Sequence, residues 1–546
     1  MKWSTKGCVL ILAATLISMT LRVPRLAQRP LHGDEAVHAD KFGTLLEEGV
    51  YEYDPFEYHG PTLNYFTLVP AWLTSVDRLA EATELTIRIV PVFFGVLLVV
   101  LLLLLRDAMG PKPAAVAAVL TAISPAMVFY SRYYIQEMLL VSFTFAAIVS
   151  GYRYARSRRL GWAIATGVFL GLMDATKETC IISYAAMLLA LVFVLLLRRR
   201  RAGNIADVLE SVKSRDIVLG LAAALIVAGL FFSSFLTHPS GVVDSIRTYT
   251  TYFDRAQHSG IHDHSWYYYL HLLTYFQIGE GPFWTEGLIV VLALVGFFAA
   301  LRGRDFEQGQ LSFFRFIAFY TALMTVIYSA IPYKTPWCLL GFLHGMILLA
   351  GLGAVRLVRA APHAVPRLII MLLLFEAGVH LGWQAWLNNY RYYADSRNPY
   401  VYAHPTEEVF RVPELLSEYA AVHEDGYSIP VSVICADKDY WPLPWYLRRF
   451  DRVGYHHKVP NNAADKAVHL VSPQFEGALA NTLYVQTPVH RRKMYMYLFD
   501  EPYYIWLRPK IKLTGFVRKG VWEALRNDSV APADISAPET KTTNDE

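Results

Sequence analysis

Residues 87–105 read IRIVPVFFGVLLVVLLLLL, an almost wholly apolar run. As a helix, a run of this length crosses the ~30 Å hydrocarbon core of a bilayer. Ten further runs of the same kind lie at about 7–23, 113–130, 135–152, 161–176, 179–197, 217–236, 284–301, 314–331, 337–355 and 367–387. The composition agrees. Of 546 residues, 54% are hydrophobic and 18% charged, against about 25% charged in soluble domains. Four cysteines exclude a disulfide scaffold, and 33 Gly with 28 Pro exclude a fibrous chain. The expected fold class is a polytopic α-helical membrane protein of about eleven spans.

Orientation follows from the basic loops. With the N-terminus in the cytoplasm, the inward loops carry Arg106 and Lys112, then Arg153, Arg156, Arg158 and Arg159, then four arginines at 198–201 with Lys213 and Arg215. Arg302, Arg304, Arg356, Arg359 and Arg367 follow the same rule. The segment 61–76 is read as a juxtamembrane or re-entrant helix, because counting it as a span would turn the later basic clusters outward. Lys2 and Lys6 precede the first run, but Arg22 and Arg25 follow it without a small-residue cleavage site, so it reads as an anchor and not a signal peptide.

The membrane domain therefore extends over 1–387, with a large outer loop at 24–86. From 388 to 530 the chain is polar and rich in Tyr and Trp, the size of one extracytoplasmic domain. Strands at 430–435 and 467–472 and a proline-opened helix at 441–450 make it α/β. Residues 531–546 lack aromatics and read as a disordered tail.

Polar chemistry gathers on the outer side. The first outer loop holds HGDEAVHAD (32–40) and EEGVYEYDPFEYHGPTLNY (47–65), with eight acids against Lys41 between His32 and His59. Asp34 and Glu35 follow Gly33 near the membrane surface, where partial desolvation raises a carboxylate's pKa and suits it to base work. SRYYIQE (131–137), MDATKET (173–179) and AIPYKTPW (330–337) are tight outer turns carrying Arg132, Glu137, Lys177, Glu178 and Lys334. Single cations at helix ends often only snorkel to headgroups. Placed together beside acids and aromatics, they point to one pocket, with cations for a lipid-linked phosphate and acids for an attacking hydroxyl. HSGIHDH (258–264) has the composition of a zinc site without a recognised spacing, and Cys180 with Cys338 allows a disulfide, although free thiols are the better expectation.

The sequence resembles the GT-C membrane glycosyltransferases of the protein O-mannosyltransferase and aminoarabinose-transferase type. The likeness is carried by GDE (33–35), HGPTLNY (59–65), SRYYIQE, ATKE (175–178) and YKTPW (333–337). YKTPW with DKDYWPLPWYLRRF (437–450) is most similar to a prokaryotic branch described as flippase-activity-associated. The resemblance implies a plasma-membrane enzyme that moves a hexosyl or pentosyl group from a polyprenyl-phosphate donor to a protein, lipid or glycan acceptor, by inverting displacement at the outer face. It implies Asp34 as general base, with Glu35 beside it and Glu137 as second acid. Arg132, Lys177 and Lys334 would hold the donor phosphate, and His59, Tyr133, Glu178, Tyr333 and Trp337 would line the substrate. Some relatives use a divalent metal such as Mg or Mn in the first acidic loop, others none; no metal ligand is assigned here. A nucleic-acid partner is not expected. A flippase that moves the lipid-linked saccharide without chemistry is the alternative, and a scaffold protein ranks third; charges at one rim and not at the midplane favour an enzyme.

Overall fold

A computed structural model describes residues 5–56, 59–202, 213–257, 260 and 262–530. The expected tail at 531–546, His258 of the histidine run and Glu57 lie outside the described residues. The chain divides into two compact units, Met1–Arg29 with Asp34–Tyr402, and Pro30–Gly33 with Ala403–Glu546. The change of character read at 388 from sequence thus lies in the last turn of a long helix, Ala364–Tyr390.

Every expected span corresponds to an apolar helix. The first unit runs through α1 (Thr5–Arg22), α2 (Gly33–Glu48), α3 (Thr62–Leu73), α4 (Glu84–Leu101), α5 (Pro111–Ile123), α6 (Pro125–Ser131) and α7 (Glu137–Ser157). It continues with α8 (Leu160–Asp174), α9 (Cys180–Ala202), α10 (Ser214–Phe232), α11 (Gly287–Arg302), α12 (Gln308–Ala330), α13 (Leu340–Ala360) and α14 (Ala364–Tyr390). Among the described residues seven helical segments are long and apolar enough to cross a bilayer, α5 with α6 forms an eighth bent by 58°, and α1, α8 and α11 are shorter apolar helices. The bend follows from sequence: Pro125 cannot donate to the preceding turn, so α5 ends, and Ser124 caps α6 by accepting from the Met127 N–H at 3.4 Å. The segment 61–76 forms the 12-residue helix α3, too short to span.

Glycines set the closest helix pairs. A Cβ on Gly167 of α8 would lie 1.8 Å from the Gly220 carbonyl oxygen of α10, and one on Gly296 of α11 would lie 2.0 Å from the Leu349 oxygen of α13. Backbones approach this closely because lipid supplies no hydrophobic drive, so helix association relies on close van der Waals packing.

The second unit is α/β. Strands β1 (Val431–Ile434), β2 (Val453–His456), β3 (Val468–Val471), β4 (Tyr495–Tyr497), β5 (Tyr504–Arg508) and β6 (Ile511–Arg518) form one mixed sheet in the order β2-β1-β3-β6-β4, with β5 also on β6. β1 runs parallel to β2 and β3, while β6 is antiparallel to β3, β4 and β5. VSVI and VHLV are buried at every position, as parallel strands covered on both faces require. The expected strands are present; the helix expected at 441–450 contracts to the single turn Leu443–Tyr446. Leu31 belongs to this unit, its N–H donating to the Tyr446 hydroxyl at 2.9 Å.

Candidate active site

Asp34 and Glu35 open α2, where the unpaired N–H groups of the first turn favour negative charge. Their side chains diverge. Glu35 is fully buried and accepts from Arg88 Nε at 2.8 Å and Nη2 at 2.7 Å, from the Tyr134 N–H at 2.9 Å, and has Arg29 at 3.6 Å. Burial alone would raise its carboxyl, but Arg88 and Arg29 outweigh burial and hold it below the usual range. Such a carboxylate is tied to Arg88 through both oxygens, and its lowered proton affinity makes it a poor base for an incoming hydroxyl. Glu35 is thus a strut between α2, α4 and the turn after α6, instead of the second catalytic acid expected beside Asp34.

Asp34 is exposed, more so than the desolvated carboxylate the sequence led us to expect. Its charge acts on His38, Tyr133, His262 and Tyr402. His38 lies one helical turn further along α2, buried, with Gln136 Nε2 3.2 Å from its Nδ1. Burial and then the His59 ring push its imidazole down to about 3, so it is neutral at physiological pH; Lys177 and Glu178 also act on it.

Lys177 and Glu137 form an ion pair buried between the start of α7 and the turn before α9. Burial disfavours the ammonium, but Glu137 outweighs it and Lys177 stays protonated above its ordinary range. The pair heads a small pocket whose lining includes Thr144, Ser183, Trp337 and Cys338. A second small pocket shares Val141, Thr144 and Gly341 with it and reaches His344. Glu178 is held by the Tyr53 hydroxyl at 2.9 Å and by His59 Nδ1 at 2.8 Å. Trp337 is packed against Tyr133 at 5.8 Å and Tyr402 at 5.9 Å between ring centroids.

Two of the expected phosphate cations are committed elsewhere. Arg132 donates to the carbonyls of Arg22, Pro24 and Arg25 and to the Tyr390 hydroxyl, over whose ring its guanidinium sits at 4.8 Å. It therefore ties down the chain leaving α1. Lys334 is buried and donates from Nζ to the carbonyls of His264, at 3.0 Å, and Ile331, while its own N–H reaches the His262 carbonyl at 2.9 Å. With the Asp263–Tyr333 bridge, these bonds clasp the fourth outer loop to the fifth. The clasp brings His262 against Tyr333, at 4.9 Å between rings, and to the Tyr402 hydroxyl, 2.6 Å from Nδ1.

Among the described residues the acids of the first outer loop are spread over separate partners: Glu35 faces Arg88, Glu47 accepts from the Leu79 N–H at 2.7 Å and Asp54 from the Phe56 N–H at 2.8 Å. Among the described residues no three of His, Cys, Asp and Glu are grouped as a metal ion needs. His262 and His264 pack on tyrosines, and the four cysteines are free thiols.

Sequence reasoning missed His38, Arg88, Tyr402 and Glu286, and read His262 only as part of the histidine run. Arg88 carried a signal, a charge within an apolar run. Glu286 is a buried carboxylate accepting from Ser124 Oγ at 2.5 Å, the Ala126 N–H at 2.8 Å and the Tyr400 hydroxyl at 2.7 Å, so it pins the bend between α5 and α6.

The family model described as dolichyl-phosphate-mannose-protein mannosyltransferase matches residues 66–228. No curated protein matches the chain in sequence. Among solved structures, ArnT from Cupriavidus metallidurans in the apo state is similar at a TM-score of 0.61 and 16% identity, over 93% of this chain and 98% of that one. The same protein bound to undecaprenyl phosphate gives 0.58 and 15%, over 94% and 98%. The Archaeoglobus fulgidus oligosaccharyltransferase in its apo form gives 0.54 and 14%, over 82% and 64%. At such identities the likeness is one of fold, and the fold of this chain is that of the GT-C membrane glycosyltransferases to which its motifs pointed.

Proposed function

We propose that the chain transfers a sugar from a polyprenyl-phosphate carrier to an acceptor hydroxyl at the outer face of the plasma membrane, with the N-terminus cytoplasmic and the α/β unit outside. One observation carries the reading: one turn beyond Asp34, the His38 ring lies 6.0 Å from that of His59, whose Nδ1 meets Glu178, the neighbour of the Lys177 that pairs with Glu137. A glycosyl phosphate brings its own leaving group, so the protein must supply a base on one side of the anomeric carbon and a cation on the other. That a structure of the same fold was solved with undecaprenyl phosphate supports a lipid-phosphate donor.

In this reading the donor phosphate docks on the Lys177 ammonium, with Glu137 keeping the lysine oriented and charged. Asp34 takes the proton of the acceptor hydroxyl as its oxygen bonds to the anomeric carbon. The carbon–oxygen bond to the phosphate breaks with its electron pair, releasing the polyprenyl phosphate and inverting the configuration. Trp337, backed by Tyr133, contributes an aromatic side chain towards the sugar, and Glu178, set by His59 and Tyr53, offers an acceptor for its hydroxyls. Arg132 and Lys334 shape the site without touching donor.

The test is reconstitution of the chain in vesicles with a polyprenyl-phosphate sugar labelled in the sugar. Formation of a product of opposite anomeric configuration supports the reading. Movement of intact donor across the bilayer without bond cleavage overturns it in favour of a flippase.

A further inference from the structure

Residues 477–499 of the α/β unit contain no Asp or Glu, yet hold His490 and the consecutive Arg491, Arg492 and Lys493. The same stretch exposes a dense set of apolar and aromatic side chains. Val489 is 75% exposed, Val485 68%, Met494 61%, Tyr497 49% and Tyr484 41%. Tyr503, 46% exposed, extends the patch, its ring 4.7 Å from that of Tyr497.

The exposure is built in. Leu483 is buried in the cluster of Ile434, Ala463, Val471 and Leu479, and Leu498 and Phe499 are buried at the other end, so the segment is anchored on both sides of the patch. Between the anchors Arg492 donates from Nε to the Thr487 carbonyl at 2.9 Å, and the Tyr495 N–H reaches the Tyr484 hydroxyl at 3.3 Å. These bonds fix the backbone with Val485, Val489 and Met494 turned to solvent. Soluble proteins rarely leave contiguous apolar surface uncovered.

We propose that segment 484–497 with Tyr503 is a membrane-docking surface that seats on a bilayer bearing anionic headgroups. The composition fits that occupant: tyrosines belong at the headgroup level, Val and Met enter the acyl boundary, and three adjacent cations with no neighbouring acid in the stretch match negative phosphates. A protein partner would be expected to meet satisfied polar groups at the rim instead of an unbroken run of cations. The ion pair of Arg491 with Asp465 is exposed on both sides and does not compete strongly. The unit is continuous in chain with the apolar helical unit, so a bilayer is always present at high effective concentration. The proposal is independent of the transfer chemistry.

The experiment uses the full chain in phosphatidylcholine vesicles with and without phosphatidylglycerol. An environment-sensitive label is placed by V489C and M494C, with E424C as an exposed polar control and the background of the four native cysteines subtracted. Nitroxide-bearing lipids are expected to quench the labels at 489 and 494, and iodide in the water to quench the label at 424. Changing Arg491, Arg492 and Lys493 together to Gln is expected to weaken docking on phosphatidylglycerol by about a hundredfold, as three charges near an anionic surface imply, and to leave neutral vesicles unaffected. Labels at 489 and 494 that stay open to iodide overturn the proposal. So does shielding from iodide without lipid quenching, which would mean that protein covers the patch.

Discussion

The Glu137 carboxylate and the Lys177 ammonium, 40 residues apart in the chain, meet as a buried ion pair at the head of an otherwise largely apolar cavity. Removing one partner of such a pair leaves a buried charge uncompensated and costs about 3–5 kcal/mol. E137Q and K177M are each expected to lower the melting temperature in detergent. Because Lys177 titrates higher in the folded than in the unfolded chain, its contribution is intact below about pH 10 and is lost as pH climbs through the folded value. A melting temperature flat from pH 7 to 10 and falling beyond it, with the fall absent in K177M, is the expected profile. K177A should also raise the apparent Kd for the donor more than for the acceptor; equal weakening would count against a phosphate contact.

Asp34 is exposed at the start of α2, so D34N, which keeps its size and hydrogen-bonding capacity, is expected to fold like the parent while losing about 10²–10⁴-fold in kcat, the range for a general base. Turnover and thermal unfolding measured on one preparation separate the two effects. Full activity in D34N would remove the base.

Glu35 is predicted to behave oppositely. E35Q leaves the Arg88 guanidinium short of its counter-charge, and the loss of stability at neutral pH is expected to be a few kcal/mol. Since the carboxyl titrates lower when folded, its contribution is present above about pH 4 and disappears as pH falls through the folded value. The stabilities of E35Q and parent should therefore converge in acid, as read by denaturant midpoints across pH.

His38 gives a second acid limb. Its imidazole titrates near 3 when folded and about 6.5 unfolded, so protons favour the unfolded chain between those values. Stability should fall by about 1.4 kcal/mol per pH unit below about pH 6.5. H38Q should flatten that slope while keeping a hydrogen-bonding group beside Gln136.

K334M breaks the clasp between the fourth and fifth outer loops. We expect a raised KM with a smaller change in kcat, and faster proteolysis at 260–268; a Kd for donor as weak as that of K177A would restore Lys334 as a phosphate ligand.

The spans were legible because they must be apolar, and the alternation of basic loops was the ground for expecting Asp34, Glu137 and Lys177 on one rim. Which charges are spoken for was not. The partners of Arg132 are backbone carbonyls exposed where α1 ends, and a helix end has no side-chain signature that announces its unsatisfied oxygens. Glu35 and Asp34 are neighbours in sequence, yet a helix sends adjacent side chains about 100° apart, one inward to Arg88 and one to solvent. The bend at Ser124 was signalled by the Ser-Pro pair, but Glu286, which secures it, lies 162 positions away.

The glycine contacts of α8 with α10 and of α11 with α13 leave no slack, since even a methyl group would collide with a carbonyl oxygen of the neighbouring helix. Those two couples must travel as rigid blocks. Relative movement of helices within this unit has to run along other seams.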